Sequence, residues 1–227
     1  MSQVKAGTLE WGLGAVAILA AVVFVANLST DAATLRLVAK PVPALCFAAW
    51  VAARGRVRAA RPIAIGLVLS ALGDALLERD RFLAGLLAFL AAHLAYVAGF
   101  LLESRRLAGW RALPFVLWIL LGFVVMRPGL GSLAVPVAAY QAAIAVMMWR
   151  AAATVGAAGA PRLHEWLGLA GAVLFGASDT LLGLDRFRGP IDGVRIPIIG
   201  LYWLGLAGIG AFAVLRPGYA PPLKGDP

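Results

Sequence analysis

Residues 82–102 read FLAGLLAFLAAHLAYVAGFLL, an apolar run in which the polar side chains are those of His93 and Tyr96. A helix needs about 20 mostly apolar residues to cross the roughly 30 Å hydrocarbon layer of a bilayer. This run has the required length, and no Pro or Asp, Glu, Lys or Arg interrupts it. It therefore predicts a transmembrane helix.

Seven further apolar runs flank this segment. They cover residues 11–28, 36–53, 62–78, 110–126, 132–150, 165–184 and 195–215. Hydrophobic residues make up 62% of the 227-residue chain, whereas a soluble domain is about 45–50% apolar. A single small core cannot hide that excess from water. We predict an all-α membrane bundle with about eight transmembrane helices.

The domain organisation predicted from these runs is simple. Residues 1–215 form a single transmembrane domain, and residues 216–227, which are rich in Pro and Gly, form a disordered tail. Of the 20 Lys and Arg residues, 12 lie on the side of the two termini, seven lie on the other side, and Lys40 lies within a span. Positive loops stay on the cytoplasmic side, so both termini are expected in the cytoplasm. High usage of Ala, Arg and Gly indicates a GC-rich bacterial genome, so the bacterial inner membrane is the expected location.

Several classes of site are excluded by the composition. The net charge of +9 comes from short loops and not from a basic stripe interleaved with aromatic residues, so we expect no nucleic-acid binding. Cys46 is the one cysteine, which rules out a disulfide framework and a multi-cysteine metal site. With only His93 and His164, a three-histidine zinc site is also ruled out.

An internal repeat links two helix ends. Residues 74–82 (DALLERDRF) and residues 179–187 (DTLLGLDRF) are identical at six of nine positions. These segments end the third and seventh predicted helices, so both point the same way across the membrane. The pattern predicts a parallel 4+4 repeat about an axis along the membrane normal.

Asp74 and Asp179 are the matching first residues of the two copies. Each lies six residues before an acidic residue of a predicted connecting loop, Asp80 or Asp185, which corresponds to roughly 9 Å along a helix. A charge in hydrocarbon costs several kcal/mol, so such groups normally face protein or water and have a function. We predict that Asp74 and Asp179 face each other across a shared cavity and are catalytic.

Other polar side chains are predicted in the same half of the bilayer. The candidates for binding or support are Lys40, His93, Tyr96, Tyr140, Gln141, Tyr202, Ser70 and Asn27. Most also have a structural interpretation, since Lys40 can snorkel to the surface and His93 can be a hydrogen-bonded core residue. Tyr140, Gln141 and Tyr202 can join helices to one another. The paired aspartates are the residues that packing alone explains least.

An ordered set of short motifs resembles the lysoplasmalogenase-like (YhhN-type) membrane family. The motifs are Ala39-Lys40-Pro41, then Gly73-Asp74 followed by Phe82, Gly85, Phe89, His93 and Tyr96, and finally Ser178-Asp179 with the Asp-Arg-Phe that follows. The resemblance spans helices two to eight. The last helix departs from the family pattern, because it has Tyr202-Trp203 and then Gly205 where Tyr-Tyr and a nearby Gln would be expected.

This resemblance implies a hydrolase that cleaves the vinyl ether at the sn-1 position of lysoplasmalogens. The products would be a fatty aldehyde and glycerophosphoethanolamine or glycerophosphocholine. The family resemblance implies no metal or other cofactor, and the partners would be the lysophospholipid substrate and membrane lipids. The oligomeric state is left open.

The chemistry suits two carboxyl groups. A vinyl ether hydrolyses by slow protonation of carbon, and water captures the resulting oxocarbenium ion. Two carboxylates close together at low dielectric do not both ionise, so the pair can supply an acid, a stabilising anion and a base for water. Glycoside hydrolysis divides these roles similarly. Lys40 would bind phosphate or keep one aspartate charged, and the sequence does not say which aspartate is the acid.

Two other functions remain compatible with the sequence. Parallel repeats and intramembrane carboxylates also occur in proton-coupled transporters of small molecules or lipids. The spans lack broken helices at matching positions, apart from Pro41, Pro43 and Pro136, which weakens this alternative. The chain could also be a lipid-binding scaffold in which Asp74 and Asp179 only pair with Lys40.

Overall fold

The computed structural model describes residues 2–55, 57–157, 159 and 162–215, with the backbone alone at residues 2–6. The predicted disordered tail, residues 216–227, lies outside the described residues. The described part contains nine α-helices. They are α1 (Ser2–Ala26), α2 (Ala33–Ala39), α3 (Val42–Arg54), α4 (Ala60–Leu77), α5 (Phe82–Glu103), α6 (Leu113–Met126), α7 (Ala134–Thr154), α8 (Leu163–Arg188) and α9 (Arg195–Val214).

These helices supply eight spans that are long and apolar enough to cross a membrane, counted over the described residues. The eight predicted transmembrane helices are thereby confirmed, and the chain is an integral membrane protein. Large apolar side chains face outward, as lipid contact requires. Trp11 is 83% exposed and Leu121 is 67% exposed.

The second span differs from the single run predicted over residues 36–53. It consists of α2 and α3, which are separated at Lys40 and Pro41. Pro41 and Pro43 have no backbone N–H, so two hydrogen bonds of a continuous helix are missing here. The break lies at the end of the bundle that carries segments 27–32, 78–81, 127–133 and 189–194, which we call the site end.

The two repeat segments fold differently at this end. The α4 helix stops at Leu77, and Asp80 adopts a left-handed conformation (φ 56°) that lets Arg81 N–H bond to the carbonyl of Leu76. The α8 helix instead continues to Arg188 and stops before Gly189 (φ 125°) and Pro190. Asp185 is therefore helical and not in a loop, contrary to prediction. The parallel 4+4 repeat stays a prediction.

The α8 and α9 helices approach each other closely because glycines line their interface. A Cβ atom on Gly171 would lie 2.6 Å from the backbone nitrogen of Ile209, and one on Gly205 would lie 2.9 Å from that of Phe175. Small residues at such contacts allow backbones to meet within a membrane. This packing brings Phe175 of α8 and Tyr202 of α9 to the same level.

Candidate active site

Asp74 lies near the C-terminal end of α4 and is 1% exposed. Its Oδ2 atom accepts a 2.7 Å hydrogen bond from the hydroxyl group of Tyr202 on α9. A buried carboxyl group needs such a partner, because an unpaired one carries a large desolvation cost. The contact fixes α9 against the end of α4.

Asp179 has the equivalent arrangement on α8. Its Oδ2 atom accepts a 2.7 Å hydrogen bond from the hydroxyl group of Tyr140 on α7, and its side chain is 7% exposed. Each aspartate is thus held by a tyrosine from another helix, and ring contacts through His93 and Phe175 connect the two tyrosine–aspartate pairs. The two predicted catalytic residues therefore belong to one cluster.

His93 of α5 approaches Asp179 from the other side. The Nδ1 atom lies 2.7 Å from the carbonyl oxygen of Phe89, and the Nε2 atom lies 3.5 Å from Oδ2 of Asp179. A carbonyl can only accept, so Nδ1 must carry a hydrogen. In a neutral ring, Nε2 then has a lone pair that would repel a carboxylate oxygen. The approach is favourable if a further proton lies on Nε2 of His93 or on the carboxyl group of Asp179.

Aromatic rings fill the space between the two aspartates. The Phe175 ring lies 4.7 Å from the His93 ring and 5.2 Å from the Tyr202 ring, measured between centroids. Phe89 packs edge-to-face against Tyr202 at 5.9 Å and against Phe175 at 6.1 Å. These contacts hold the two tyrosine–aspartate pairs in fixed positions in an apolar medium.

The close approach of Phe89 depends on Gly73. A Cβ atom on Gly73 would lie 2.6 Å from the Phe89 ring, which is shorter than side-chain contacts allow. The absence of a side chain next to Asp74 therefore lets Phe89 lie against α4. Ser70, one turn before Asp74, shares a 2.9 Å hydrogen bond with Tyr96 of α5, and both residues are completely buried.

Asp179 also lines a largely apolar cavity, which we call the apolar cavity. Its walls include Phe82, Leu86, Phe89, Ile119, Met126, Val137, Tyr140, Gln141, Ile144, Leu182 and Phe187. Asp74 is not among the described residues of this lining, so the aspartates do not have equal access to the cavity. Gln141 is 5% exposed, and its Oε1 atom accepts no hydrogen bond from the described residues.

The α6 helix forms one wall of the apolar cavity. Ile119 and Met126 line the cavity, whereas Leu120, Leu121 and Val124 on the same helix are more than half exposed. One face of α6 thus meets the cavity, and its other face points away from the bundle.

The side chains of Lys40 and Asn27 bind to groups other than the two aspartates. The Lys40 Nζ atom lies 3.0 Å from Oε1 of Glu78, and Arg36 lies 3.6 Å from the other oxygen of the same carboxylate. Asn27 donates to the carbonyl of Val23 at the end of α1. The structure therefore does not bring Asn27 to the aspartates.

Two residues near the aspartates were not singled out from the sequence. Phe175 precedes Asp179 by four residues and lies on the same face of α8. Glu78 follows Asp74 by four residues, immediately after the end of α4. That spacing is the signal that could have identified them. No group of three His, Cys, Asp or Glu side chains suited to a metal ion occurs among the described residues.

Comparison with known proteins gives the following relationships. The chain matches the profile of the YhhN family over residues 35–213. It is 35% identical over 148 residues to lysoplasmalogenase TMEM86A of Bos taurus, covering 62% of this chain and 60% of that protein. It is 34% identical over 146 residues to lysoplasmalogenase TMEM86B of Sus scrofa, covering 60% of this chain and 56% of that protein. The match thus spans about three-fifths of the length of these relatives. No solved structure matches the chain.

Proposed function

Because the chain belongs to the YhhN family, we propose that it is a membrane hydrolase that cleaves the sn-1 vinyl ether bond of lysoplasmalogens. Water would be the second substrate, and the products would be a fatty aldehyde and the glycerophospho head group. The relatives named lysoplasmalogenase support this proposal. The two buried carboxyl groups, one of which lines an apolar cavity, support it independently.

The observation that carries the proposal is the position of Asp179. This carboxyl group lines a cavity whose other walls are mainly apolar side chains, where an alkenyl chain can lie. Its Oδ2 atom accepts a hydrogen bond from Tyr140 and lies 3.5 Å from Nε2 of His93. Protonation of a carbon atom is slow in water, so the acid must be held close to that carbon.

We assign the role of acid to Asp179. Its proton is transferred to the second carbon of the alkenyl chain, and the electrons of the double bond form the new C–H bond. The first carbon and the sn-1 oxygen then share the positive charge of an oxocarbenium ion. The 3.5 Å approach of His93 Nε2 to Oδ2 of Asp179 supports this assignment, because that contact is favourable when one of the two groups carries a proton.

Asp74 takes the electrostatic role. It is more deeply buried than Asp179 and lies outside the cavity lining, so it stabilises the cation through space. This assignment gives the two aspartates the unequal charges that acid catalysis and cation stabilisation require.

Water completes the reaction. After losing its proton, Asp179 accepts one from the water molecule that attacks the oxocarbenium carbon, which restores the acid and forms a hemiacetal. The hemiacetal hydroxyl proton then passes to the departing sn-1 oxygen as that C–O bond breaks. Gln141 has a buried carbonyl oxygen in the cavity lining, and we assign it to orienting this water.

The same proposal includes an orientation in the membrane. Seven Lys and Arg residues lie on the side of the site end and 12 lie on the side of the termini, which supports cytoplasmic termini. The site end would then lie toward the outer face of the inner membrane. Labelling a cysteine introduced at exposed Asp192, after replacement of Cys46 by Ala, with a membrane-impermeant maleimide on intact cells tests this orientation. Protection of that cysteine until the membrane is opened contradicts it.

The decisive test of function compares two lipids. The purified full-length protein, reconstituted in nanodiscs, is incubated with a lysoplasmalogen and with its saturated ether analogue, and aldehyde is measured. We expect aldehyde from the lysoplasmalogen alone, at a rate that Asp179→Asn abolishes. Flux of intact lipid across sealed proteoliposomes without aldehyde would instead indicate a carrier and overturn the proposal.

A further inference from the structure

A second cavity lies at the site end, and we call it the polar cavity. Its lining includes Lys40, Glu78, Asp185, Arg186 and Arg195 among mainly apolar side chains. Three cationic side chains and two carboxylates therefore line one cavity in a protein whose spans are otherwise mostly apolar.

Both carboxylates of the polar cavity have partners within the protein. Glu78 is paired with Lys40 at 3.0 Å and with Arg36 at 3.6 Å. Asp185 accepts a 2.7 Å hydrogen bond from the backbone N–H of Ile191. Lys40 is therefore committed to Glu78 and is not available as a free phosphate ligand.

Two arginines of the lining have no carboxylate partner among the described residues. Arg186 lies over the Phe82 ring, 5.1 Å from its centroid. The guanidinium group of Arg195 makes no hydrogen bond or ion pair with the part of the chain that the structure describes. Arg186 is on the last turn of α8 and Arg195 is the first residue of α9, so the α8–α9 connection places both at one cavity.

The polar cavity adjoins the apolar cavity. Leu77, Phe82 and Leu182 line both, so these side chains form the boundary between them. A lysophospholipid has the same division, with an anionic phosphate at one end of the glycerol and an apolar chain at the other. A lipid whose chain occupies the apolar cavity, with its ether carbons at Asp179, would extend its head group toward the polar cavity.

We propose that Arg186 and Arg195 bind the phosphate group of the substrate lipid. Guanidinium groups suit this role because they stay charged and offer paired N–H donors to phosphate oxygens. The inference rests on the proposed function and adds to it the residues that recognise the phosphate. The Phe82 ring beneath Arg186 orients that side chain along the boundary of the two cavities.

The test uses two substrates with the same vinyl ether. One is a lysoplasmenylethanolamine, and the other is a 1-alkenylglycerol, which lacks the phosphate. The wild-type protein should prefer the first in kcat/KM. Arg186→Gln and Arg195→Gln should each reduce this preference about tenfold, mainly through KM. Arg188→Gln is the matched control, since Arg188 is exposed on the same helix but is not in the cavity lining.

A binding measurement makes the inference testable even if no cleavage occurs. The saturated lysoether phospholipid should raise the Tm of the wild-type protein in detergent more than the saturated alkylglycerol does, and both arginine variants should lose the difference. Equal stabilisation by the two lipids, or equal losses on both substrates, overturns the phosphate site. If inorganic phosphate alone raises the Tm as much as the lysoether phospholipid does, the site binds free anions, and the lipid assignment is overturned. Absence of aldehyde in the wild type, with the Tm difference intact, contradicts only the proposed function.

Discussion

The hydroxyl group of Tyr202 donates a 2.7 Å hydrogen bond to Oδ2 of Asp74, which joins residues 128 positions apart in the chain. Tyr140 and Asp179 make the same contact with the same atoms. The two pairs come from four helices, α4 with α9 and α7 with α8. The geometry around each carboxyl group is therefore set by tertiary packing and not by neighbouring residues.

Replacing either aspartate by Asn should abolish most of the turnover. A positioned acid or base contributes about 10²–10⁴-fold to a rate, and Asn retains the shape without the proton or charge. We expect losses of that order for Asp74→Asn and Asp179→Asn, measured as aldehyde release. Asp192→Asn, at an exposed position, is the control. Near-normal turnover in a folded Asp→Asn variant would refute the assignment.

The two tyrosines should act through different aspartates. Tyr140→Phe and Tyr202→Phe each remove one hydrogen bond to a carboxyl group, which is worth about 1.5–3 kcal/mol, or roughly 10–100-fold in kcat. A double-mutant cycle should show strong coupling of Tyr140→Phe with Asp179→Asn and weaker coupling with Asp74→Asn. Equal coupling to both aspartates would contradict two separate pairs.

His93 should affect kcat and leave KM nearly unchanged. It lies behind Asp179 and Tyr140 and is not itself among the lining residues of the apolar cavity, so His93→Gln removes a partner of Asp179 without replacing a wall residue. We expect kcat to fall about tenfold or more. Steady-state kinetics with a range of lysoplasmalogen concentrations gives both parameters. A rise in KM at constant kcat would mean that His93 serves in binding.

Adding a methyl group at Gly73 should disturb both packing and activity. The new Cβ would lie 2.6 Å from the Phe89 ring, and overpacking of this kind costs about 1–3 kcal/mol. Gly73→Ala should therefore lower the Tm and the turnover, and a smaller residue in Phe89→Leu should recover part of the Tm. Gly200→Ala is the control, because nothing lies within 4 Å of its Cβ position. Equal Tm values for the two alanine variants would contradict this account.

The sequence predicts the number of spans well because run length is the main requirement for crossing a bilayer. It also selects Asp74, Asp179, Tyr140 and Tyr202, since polar side chains in apolar runs are conspicuous. It does not predict which tyrosine meets which aspartate, because that depends on how helices distant in sequence pack.

The end of α8 shows where the motif comparison was wrong. Similar residues around Asp80 and Asp185 suggested similar loops, but the ends of α4 and α8 depend on residues outside the matching positions. Asp80 adopts a left-handed conformation after α4, whereas Gly189 and Pro190 stop α8 beyond the repeat. The sequence likewise does not predict that Lys40 pairs with Glu78, because Glu78 lies at the end of a different helix, α4.

The wall formed by α6 has a consequence for enzyme kinetics. The apolar cavity, which we propose binds the reacting chain, is separated from the exterior by the thickness of one helix, whose outward side chains include Leu120 and Leu121. A substrate dissolved in the bilayer would reach it by lateral diffusion, so dilution with inert phospholipid should slow the reaction even when the amount of substrate per millilitre is constant. The governing variable is then the mole fraction of substrate in the membrane.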